Sequence, residues 1–280
     1  MAENSVNSFN VDGTQYDVED TAGRARAEEA YKLAYAVNKT VNEPEPAWIS
    51  HRNIYRGKNL GNVFTQDQLK HIKDGTFEDL YVGDYWEDTS QGIKWMIADI
   101  DYWTFGRPAT EHHLVIISKD AVIKSVPMND TDDTTKGYVG STLYSDTIPE
   151  CNTKIKNFFG TNNVMPHVQD FSNGFNKNSG TVSSTTYLTV DSEIPDFQAI
   201  FGDNRMAIEC GRNNVKSRNI GQLAALRINQ KDIFLSEPST IYWVRNITSN
   251  QGFFAIYSGT VETARMATAT GAVRPIFAIG

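Results

Sequence analysis

The stretch FEDLYVGDYWEDTSQGIKWMIADIDYW, from Phe77 to Trp103, decides the fold of this chain, and it holds three of its five tryptophans. In LYVGDYW and IKWMIADIDYW, β-branched and aromatic residues recur at every second position, which is typical of strands, and DTSQG between them is typical of a turn. The stretch therefore predicts a β-hairpin with one buried face. Because an aromatic side chain buries about 150–250 Å², we expect Trp86, Trp95 and Trp103 to form core rather than a ligand platform.

The composition predicts a globular α+β chain with one large β-rich domain and an appendage. The 280 residues are 40% hydrophobic and 11% aromatic, which is ample for a core. The net charge of -8 and the lack of a basic run argue against nucleic-acid partners. No window reaches the roughly 18 apolar residues of a membrane span, and the N-terminus lacks the pattern of a secretory signal. We therefore expect a chain that stays in the cytosol where it is made.

The two cysteines predict neither a disulfide framework nor a zinc site. Cys151 and Cys210 lie far apart, and neither belongs to a CxxC pair. We expect both thiols to be reduced and buried, and we expect no cofactor.

Residues 1–46 predict a segment for attachment and oligomerisation. SVNSFNVDGTQYDVE (residues 5–19) predicts a small hairpin that turns at Asp12-Gly13 and needs a surface to lie on. A helix follows, in which apolar residues recur at spacings of three and four, and it ends before the prolines of NEPEPAW, where an extended linker predicts the domain boundary. Two alternatives remain: the helix lies on its own domain, or it joins identical chains, with a trimer favoured. The seam residues are Ala27, Ala30, Ala34, Val37 and Val41.

Residues 47–280 predict the globular domain. Thr65 and Gln68 form the pattern of a capping box, which predicts a helix that ends near Gly75. The apolar run 114–117 predicts a strand covered on both faces. Further segments have simple patterns: helices are predicted in TIPECNTKIKNFFG and SEIPDFQAIFGD, loops in residues 130–141 and in QDFSNGFNKNSGTVSSTTY, and strands in TIYWVRN, GFFAIYSG and GAVRPIFAIG, the last tied into the core sheet.

Glu111-His112-His113, with Asp99 and Asp101 nearby in sequence, is the most obvious cluster of potential metal ligands. Adjacent histidines on a strand point to opposite faces, so both cannot easily bind one ion. We therefore expect these side chains to form hydrogen bonds at the start of a strand, and we assign no metal.

Asp130, Asp132 and Asp133 resemble an oxygen-rich calcium loop, but the glycine and glutamate of a helix-loop-helix site are absent. A solvated acidic loop is the expectation. No GxSxG, HExxH, GxxxxGK[ST] or GxGxxG run occurs, so the sequence predicts no enzyme of those classes. Paired carboxylates for glycan cleavage have a spatial separation that the sequence does not fix.

A weak candidate site for host glycan lies in the predicted loops. Sugar binding uses aromatic faces together with Asn or Asp side chains, and Tyr138, Asn173, Phe175 and Asn176 supply that mixture. The alternative is that these four are ordinary loop residues.

Several motifs resemble structural proteins of tailed bacteriophages and prophages of Gram-positive bacteria. They are NIYRGKNLG, GTFEDLYVGDYW, WMIADIDYW, EHHLVIIS, MNDT with GYVGS, and the ending YWVRN, FFAIY and GAVRPIFAI, over roughly residues 52–144 and 240–280. The opening FNVDGTQYDVEDTAGRARAEEA is similar to the leader of phage fibre and appendage proteins. The ending also resembles the WLR and GVRP strands of C-type-lectin-like domains, although it reads WVR and AVRP here and no calcium-ligand motif accompanies it.

The resemblance implies a virion protein, such as a head fibre or tail appendage, that is assembled in the host cytoplasm. Its leader (1–46) would bind other virion proteins, and its domain (47–280) would act in host attachment, with host cell-surface glycan as receptor. One alternative is a purely architectural component of capsid, collar or tail that binds neighbouring subunits. Another alternative is a cell-wall glycosidase.

Overall fold

The computed structural model describes residues 8–11, 14–17, 47–103, 107–172, 174–179, 181–182, 185–202, 221–235, 240–249, 251–257 and 260–280. It divides the chain into two units, Met1–Pro46 and Ala47–Gly280. The predicted α+β class with a β-rich domain is confirmed. No helix in the ranges above is long and apolar enough to cross a membrane. The predicted helix seam, Ala27, Ala30, Ala34, Val37 and Val41, lies outside the described residues.

The helices and strands are numbered here in chain order. The helices are α1 (Ala47–Asn53), α2 (Gln66–Lys73), α3 (Ile148–Phe159), α4 (Phe197–Phe201) and α5 (Ala224–Leu235). The strands are β1 (Ser8–Val11), β2 (Thr14–Asp17), β3 (Tyr85–Asp88), β4 (Ile93–Ile100), β5 (Leu114–Ser118), β6 (Ile123–Pro127), β7 (Val164–Met165), β8 (His167–Ser172), β9 (Phe175–Asn176), β10 (Thr181–Val182), β11 (Thr185–Val190), β12 (Ser192–Glu193), β13 (Ile241–Ile247), β14 (Gly252–Tyr257), β15 (Thr260–Met266), β16 (Thr270–Val273) and β17 (Ile276–Ile279).

The first unit contains the predicted hairpin. β1 and β2 pair antiparallel, and Val11 lies opposite Thr14. The pairing confirms the prediction, while the turn at Asp12-Gly13 lies outside the described residues.

The tryptophan-rich hairpin is confirmed, with two corrections. Trp86 of β3 lies opposite Trp95 of β4, and Trp86, Trp95 and Trp103 are all buried. The first strand begins only at Tyr85, because the residues before it form a turn. The second strand is not buried on one face alone: every residue from Trp95 to Ile100 is buried, so both faces of β4 are covered.

The main sheet is built around this hairpin, in the order β12-β17-β5-β4-β3, with β7 also paired to β17. β5 is buried along its whole length, as predicted for a strand covered on both faces. β17 is likewise buried and pairs with β5, so the prediction that this run joins the core sheet is confirmed.

A second sheet has the order β15-β14-β13-β16-β6. The run GAVRPIFAIG was expected to form one strand, but it contributes to both sheets: its start lies in β16 and its end in β17. Arg274-Pro275 separates the two, because proline cannot donate a ladder hydrogen bond. β15 was not predicted.

The prediction of a long exposed loop in QDFSNGFNKNSGTVSSTTY is wrong, because the segment contains paired strands. β8 pairs antiparallel with β11, and β9 pairs with β10 in the same register, so these four strands form a ribbon of two antiparallel arms. The base of the ribbon is buried at His167 and Phe171, whereas Asn176 near its tip is exposed.

The helices follow their local signals. α2 has the predicted capping box: Thr65 accepts from the Gln68 N–H and the Gln68 side chain accepts from the Thr65 N–H. α3 and α4 are also confirmed, and each is followed by a glycine. α1 was not predicted and begins at Ala47, so the end of NEPEPAW is helical rather than extended. α5 was not predicted either, and it is kinked at Asn229.

Cys151 is buried on α3 as a free thiol. Burial raises the pKa of this thiol to about 12, so it is protonated at neutral pH. Cys210 lies outside the described residues.

A buried carboxylate ties the segment after α1 to the hairpin. Asp84 is fully buried, and its oxygens accept from the Arg56 guanidinium, from the Lys58 N–H at 2.9 Å and from the Tyr81 N–H at 2.9 Å. The hydrogen bond to Asp84 raises the pKa of Arg56 further above its usual value. On its outer side, the same guanidinium reaches Asp79, whose side chain is 57% exposed.

Asp84 and Asp79 bind the same arginine at different depths, and their substitutions should therefore differ in cost. We expect Asp84→Ala to lower the free energy of unfolding by about 3–5 kcal/mol, since it leaves buried donors without an acceptor. We expect Asp79→Ala to cost no more than about 2 kcal/mol, because that pair is exposed to solvent and the main remaining cost is that alanine tolerates the φ of 55° at this position less well than aspartate. Denaturant unfolding of both variants measures the two values. Equal losses would contradict this assignment.

Candidate functional site

A polar cleft of about 280 Å³ lies where β4 ends and the chain enters β5. This volume is close to the lower end of the range of about 300–1,000 Å³ for ligand pockets. Its lining residues come from two short segments: Asp101, Trp103, Pro108, Thr110, Glu111, His112 and His113. The cleft therefore contains the histidine pair that the sequence analysis singled out.

Asp101 organises the cleft. It follows the last residue of β4 and has a φ of 48°, a left-handed conformation that aspartate tolerates better than most residues. Its Oδ1 accepts from the His113 backbone N–H at 2.8 Å, and its Oδ2 lies 2.7 Å from Nδ1 of His112. Its own N–H donates to the His113 carbonyl at 3.0 Å. The left-handed turn thus fixes the strand start, which confirms the predicted hydrogen-bonding role of this cluster.

His113 is held as a neutral imidazole. Its side chain is 1% exposed, its Nε2 accepts from the Trp103 backbone N–H at 3.1 Å, and its Nδ1 lies 3.3 Å from the Glu111 carbonyl oxygen. These two contacts require the proton to be on Nδ1. Burial lowers the pKa of His113 below its usual value of 6.5, and the Asp101 carboxylate offsets this only in part.

The aromatic wall of the cleft is already stacked inside the protein. Trp103 is 2% exposed, and its ring stacks on His167 with 3.7 Å between ring centroids. Trp103 also lies nearly parallel to His113, at 6.3 Å. Among its described lining residues, the cleft therefore offers a ligand carboxylates, an imidazole and a hydroxyl for hydrogen bonding, whereas the Trp103 ring is already covered.

Behind Trp103, buried charged groups support the ribbon and the second sheet. Glu193 Oε1 lies 3.6 Å from His167 Nε2 and accepts from the Gln169 amide at 2.8 Å. Arg245, the arginine of WVR, donates to Asp196 Oδ2 at 2.9 Å. This arginine is buried and structural, not a surface ligand group.

The arginine of AVRP has a similar role. Arg274 is 1% exposed, donates to the Tyr242 hydroxyl at 2.8 Å and lies over that ring at 4.0 Å. Both arginines of the motifs that suggested a lectin-like domain are thus buried in the interior.

Asp99, two residues before Asp101, joins two helices to the hairpin. It is fully buried and accepts from the Arg52 guanidinium of α1 and from the Ala224 N–H at the start of α5. Its hydrogen bond raises the pKa of Arg52, while burial raises the pKa of Asp99 itself. Asp99 thus binds two helices within the core, whereas Asp101 lines the cleft.

The structure does not assemble a metal site from these residues. Within the ranges that the structure describes, no group of three or more His, Cys, Asp and Glu side chains is placed to hold a metal ion. The acidic loop at 130–133 is hydrogen-bonded within the protein: Asp132 accepts from the N–H and hydroxyl of the distant Thr268, and Asp133 accepts from the nearby Thr135 N–H.

Of the four loop residues proposed to bind glycan, the structure describes Tyr138, Phe175 and Asn176. The structure corrects the expectation for Tyr138. Its side chain is only 1% exposed because its loop packs against β8, and its hydroxyl accepts from the Ile194 N–H. Gly137 makes that approach possible, since a Cβ there would come 2.2 Å from the Ser172 carbonyl oxygen. Phe175 is half-buried and Asn176 is exposed on the ribbon. Asn173 lies outside the described residues.

The sequence analysis identified only part of the cleft. It singled out Asp101, Glu111, His112 and His113, but it missed Pro108 and Thr110. These two residues have no distinctive pattern, and they line the cleft only because the chain turns back toward Asp101.

Comparison with known proteins gives no relative for this chain: no family model, no curated protein and no solved structure matches it.

The stability of the protein should depend more on the carboxylate of Asp101 than on that of Glu111, the other acidic residue that lines the cleft. We expect Asp101→Ala to lower the free energy of unfolding by about 1–3 kcal/mol, because the His113 N–H loses its acceptor. Asp101→Asn keeps an acceptor oxygen and tolerates the positive φ, so it should cost less. Glu111→Ala, at an exposed position, should change stability by no more than about 0.5 kcal/mol. Denaturant unfolding of the three variants tests this order, and a costlier loss at Glu111 would contradict it.

Proposed function

We propose that this chain is a structural protein of a tailed-bacteriophage virion: a fibre or decoration appendage anchored by residues 1–46, whose domain 47–280 binds the host cell surface. The family-like motifs of the sequence support this proposal, and so does the hairpin of the first unit. That hairpin is the single structural observation that carries it.

β1 and β2 have four residues each and pair only with one another among the described residues. An isolated two-stranded hairpin of this size is marginally stable in water. It therefore needs a surface to lie on, and a neighbouring virion protein supplies such a surface. The same segment resembles the leader of phage appendage proteins, so both lines of reasoning favour attachment through residues 1–46.

Two exposed features of the domain are candidates for contact with a host. One is the cleft around Asp101 and His112, which has hydrogen-bonding groups for a small polar ligand. The other is the ribbon tip, where residues 176–179 are exposed. Either site would bind weakly alone, but several copies on one particle would convert weak contacts into firm attachment. A homo-oligomer, with a trimer favoured, fits that arrangement.

A purely architectural role is the second candidate, and one observation favours it. Some residues of the motifs that resemble phage proteins belong to the interior: Asp84 and Arg245 are buried in ion pairs, and Gly137 allows a close backbone approach. Residues with these roles preserve a fold rather than a binding surface. In this alternative the domain would bind neighbouring subunits.

Particles assembled in cells that express a chain lacking residues 1–46 in place of the full chain test the proposal. We expect them to assemble, to lack the truncated protein and to adsorb less to host cells, because the anchor is gone. Immunoblotting of purified particles measures incorporation, and a plating assay measures adsorption.

Each other outcome has a clear meaning. Incorporation of the truncated protein at the normal level would overturn the anchoring role of residues 1–46. Failure of the particles to assemble would favour the architectural role. As a matched control, full-length chains with Asp79→Ala, an exposed change within the domain, should be incorporated normally.

A further inference from the structure

His113 occupies a position where gaining one proton must break a specific backbone hydrogen bond. Its Nε2 accepts from the Trp103 N–H at 3.1 Å, which only a nitrogen without a proton can do. Its Nδ1 faces the Glu111 carbonyl oxygen at 3.3 Å, which requires the proton to be on that nitrogen. A second proton would have to go to Nε2, where it would face another donor.

We propose that His113 is an acid-sensitive switch in the wall of the cleft: protonation of its Nε2 releases the Trp103 backbone and alters the cleft. The proposal does not depend on the virion role, because it rests on the geometry of the cleft alone.

Among the described residues around the ring, the groups that could favour the added charge face Nδ1 rather than Nε2. On the segment after β4, Asp101 uses its Oδ1 for the His113 backbone N–H, and that oxygen lies 3.5 Å from Nδ1 rather than near Nε2. On the segment before β5, the Glu111 carbonyl faces Nδ1 and His112 binds the other Asp101 oxygen. The charge at Nε2 would therefore meet a donor on its own side.

The groups on the far side of Trp103 also matter. His167 of β8 is fully buried and stacked on Trp103, and its electrostatic interaction with His113 further lowers the pKa of His113. Glu193 of β12 lies 3.6 Å beyond His167, next to the Gln169 amide. That carboxylate therefore faces His167 and not Nε2 of His113.

The direction of the pH effect follows from burial. Burial lowers the pKa of His113 in the folded protein below the usual 6.5. The unfolded chain therefore takes up the proton first as the pH falls, so stability decreases below about pH 6.5 until the folded protein is also protonated. The switch is off at neutral pH and on in acid.

Nitrogen-15 NMR of the intact protein tests the proposal. At pH 7 we expect the ring shifts of His113 to report the tautomer protonated on Nδ1. As the pH falls, the Trp103 backbone amide should titrate in step with the His113 ring, with a midpoint below 6.5.

Two variants separate this switch from general acid effects. In His113→Gln the side-chain oxygen can accept from the Trp103 N–H without titrating, so the Trp103 amide shift should become independent of pH over this range. In His112→Gln, which changes the neighbouring 44% exposed histidine, the titration should persist.

Three results would overturn the proposal: the Nε2-protonated tautomer at pH 7, a Trp103 amide that does not respond to acid in the unaltered protein, or the same response in His113→Gln. The tautomer needs no variant, so the proposal stays testable even if a substitution prevents folding.

Discussion

Buried or half-buried carboxylates of the tryptophan-rich hairpin hold the domain together. A carboxylate leaves water only if hydrogen bonds replace its hydration, and each of these side chains obtains them from a different part of the chain. The acidic side chains of the hairpin therefore fix the positions of the segments that donate hydrogen bonds to them. The four are Asp84 for the segment after α1, Asp88 for the hairpin turn, Asp99 for α1 and α5, and Asp101 for the start of β5.

The cleft is a consequence of the last of these contacts. Asp101 turns the chain out of β4 in a left-handed conformation and captures the first residues before β5. That capture places His113 against the Trp103 N–H and leaves His112 at the surface. A single carboxylate thus shapes the cleft and places the histidine whose pKa burial lowers.

Local signals in the sequence predicted local structure well. The capping box at Thr65, the alternation around Trp95 and the apolar run of β5 each need no information from distant residues. The ribbon was missed because its Ser, Thr, Asn and Gly content is typical of a loop. The pairing of β8 with β11 becomes visible only in three dimensions. Tyr138 was misplaced for a related reason: its loop is polar, yet a tight approach to β8 buries it.

Three residues of the motifs that suggested a phage protein, Asp84, Gly137 and Arg245, have structural roles in this fold, so these motifs bear more directly on the fold than on a ligand. If the hairpin carboxylates fix these segments, the backbone amides that donate to them must be protected from hydrogen exchange, even where they lie outside strands. Hydrogen exchange of the Lys58, Tyr81 and Ala224 amides measures this most directly. The account predicts exchange as slow as that of β4 amides. Exchange at the rate of exposed loops would contradict it.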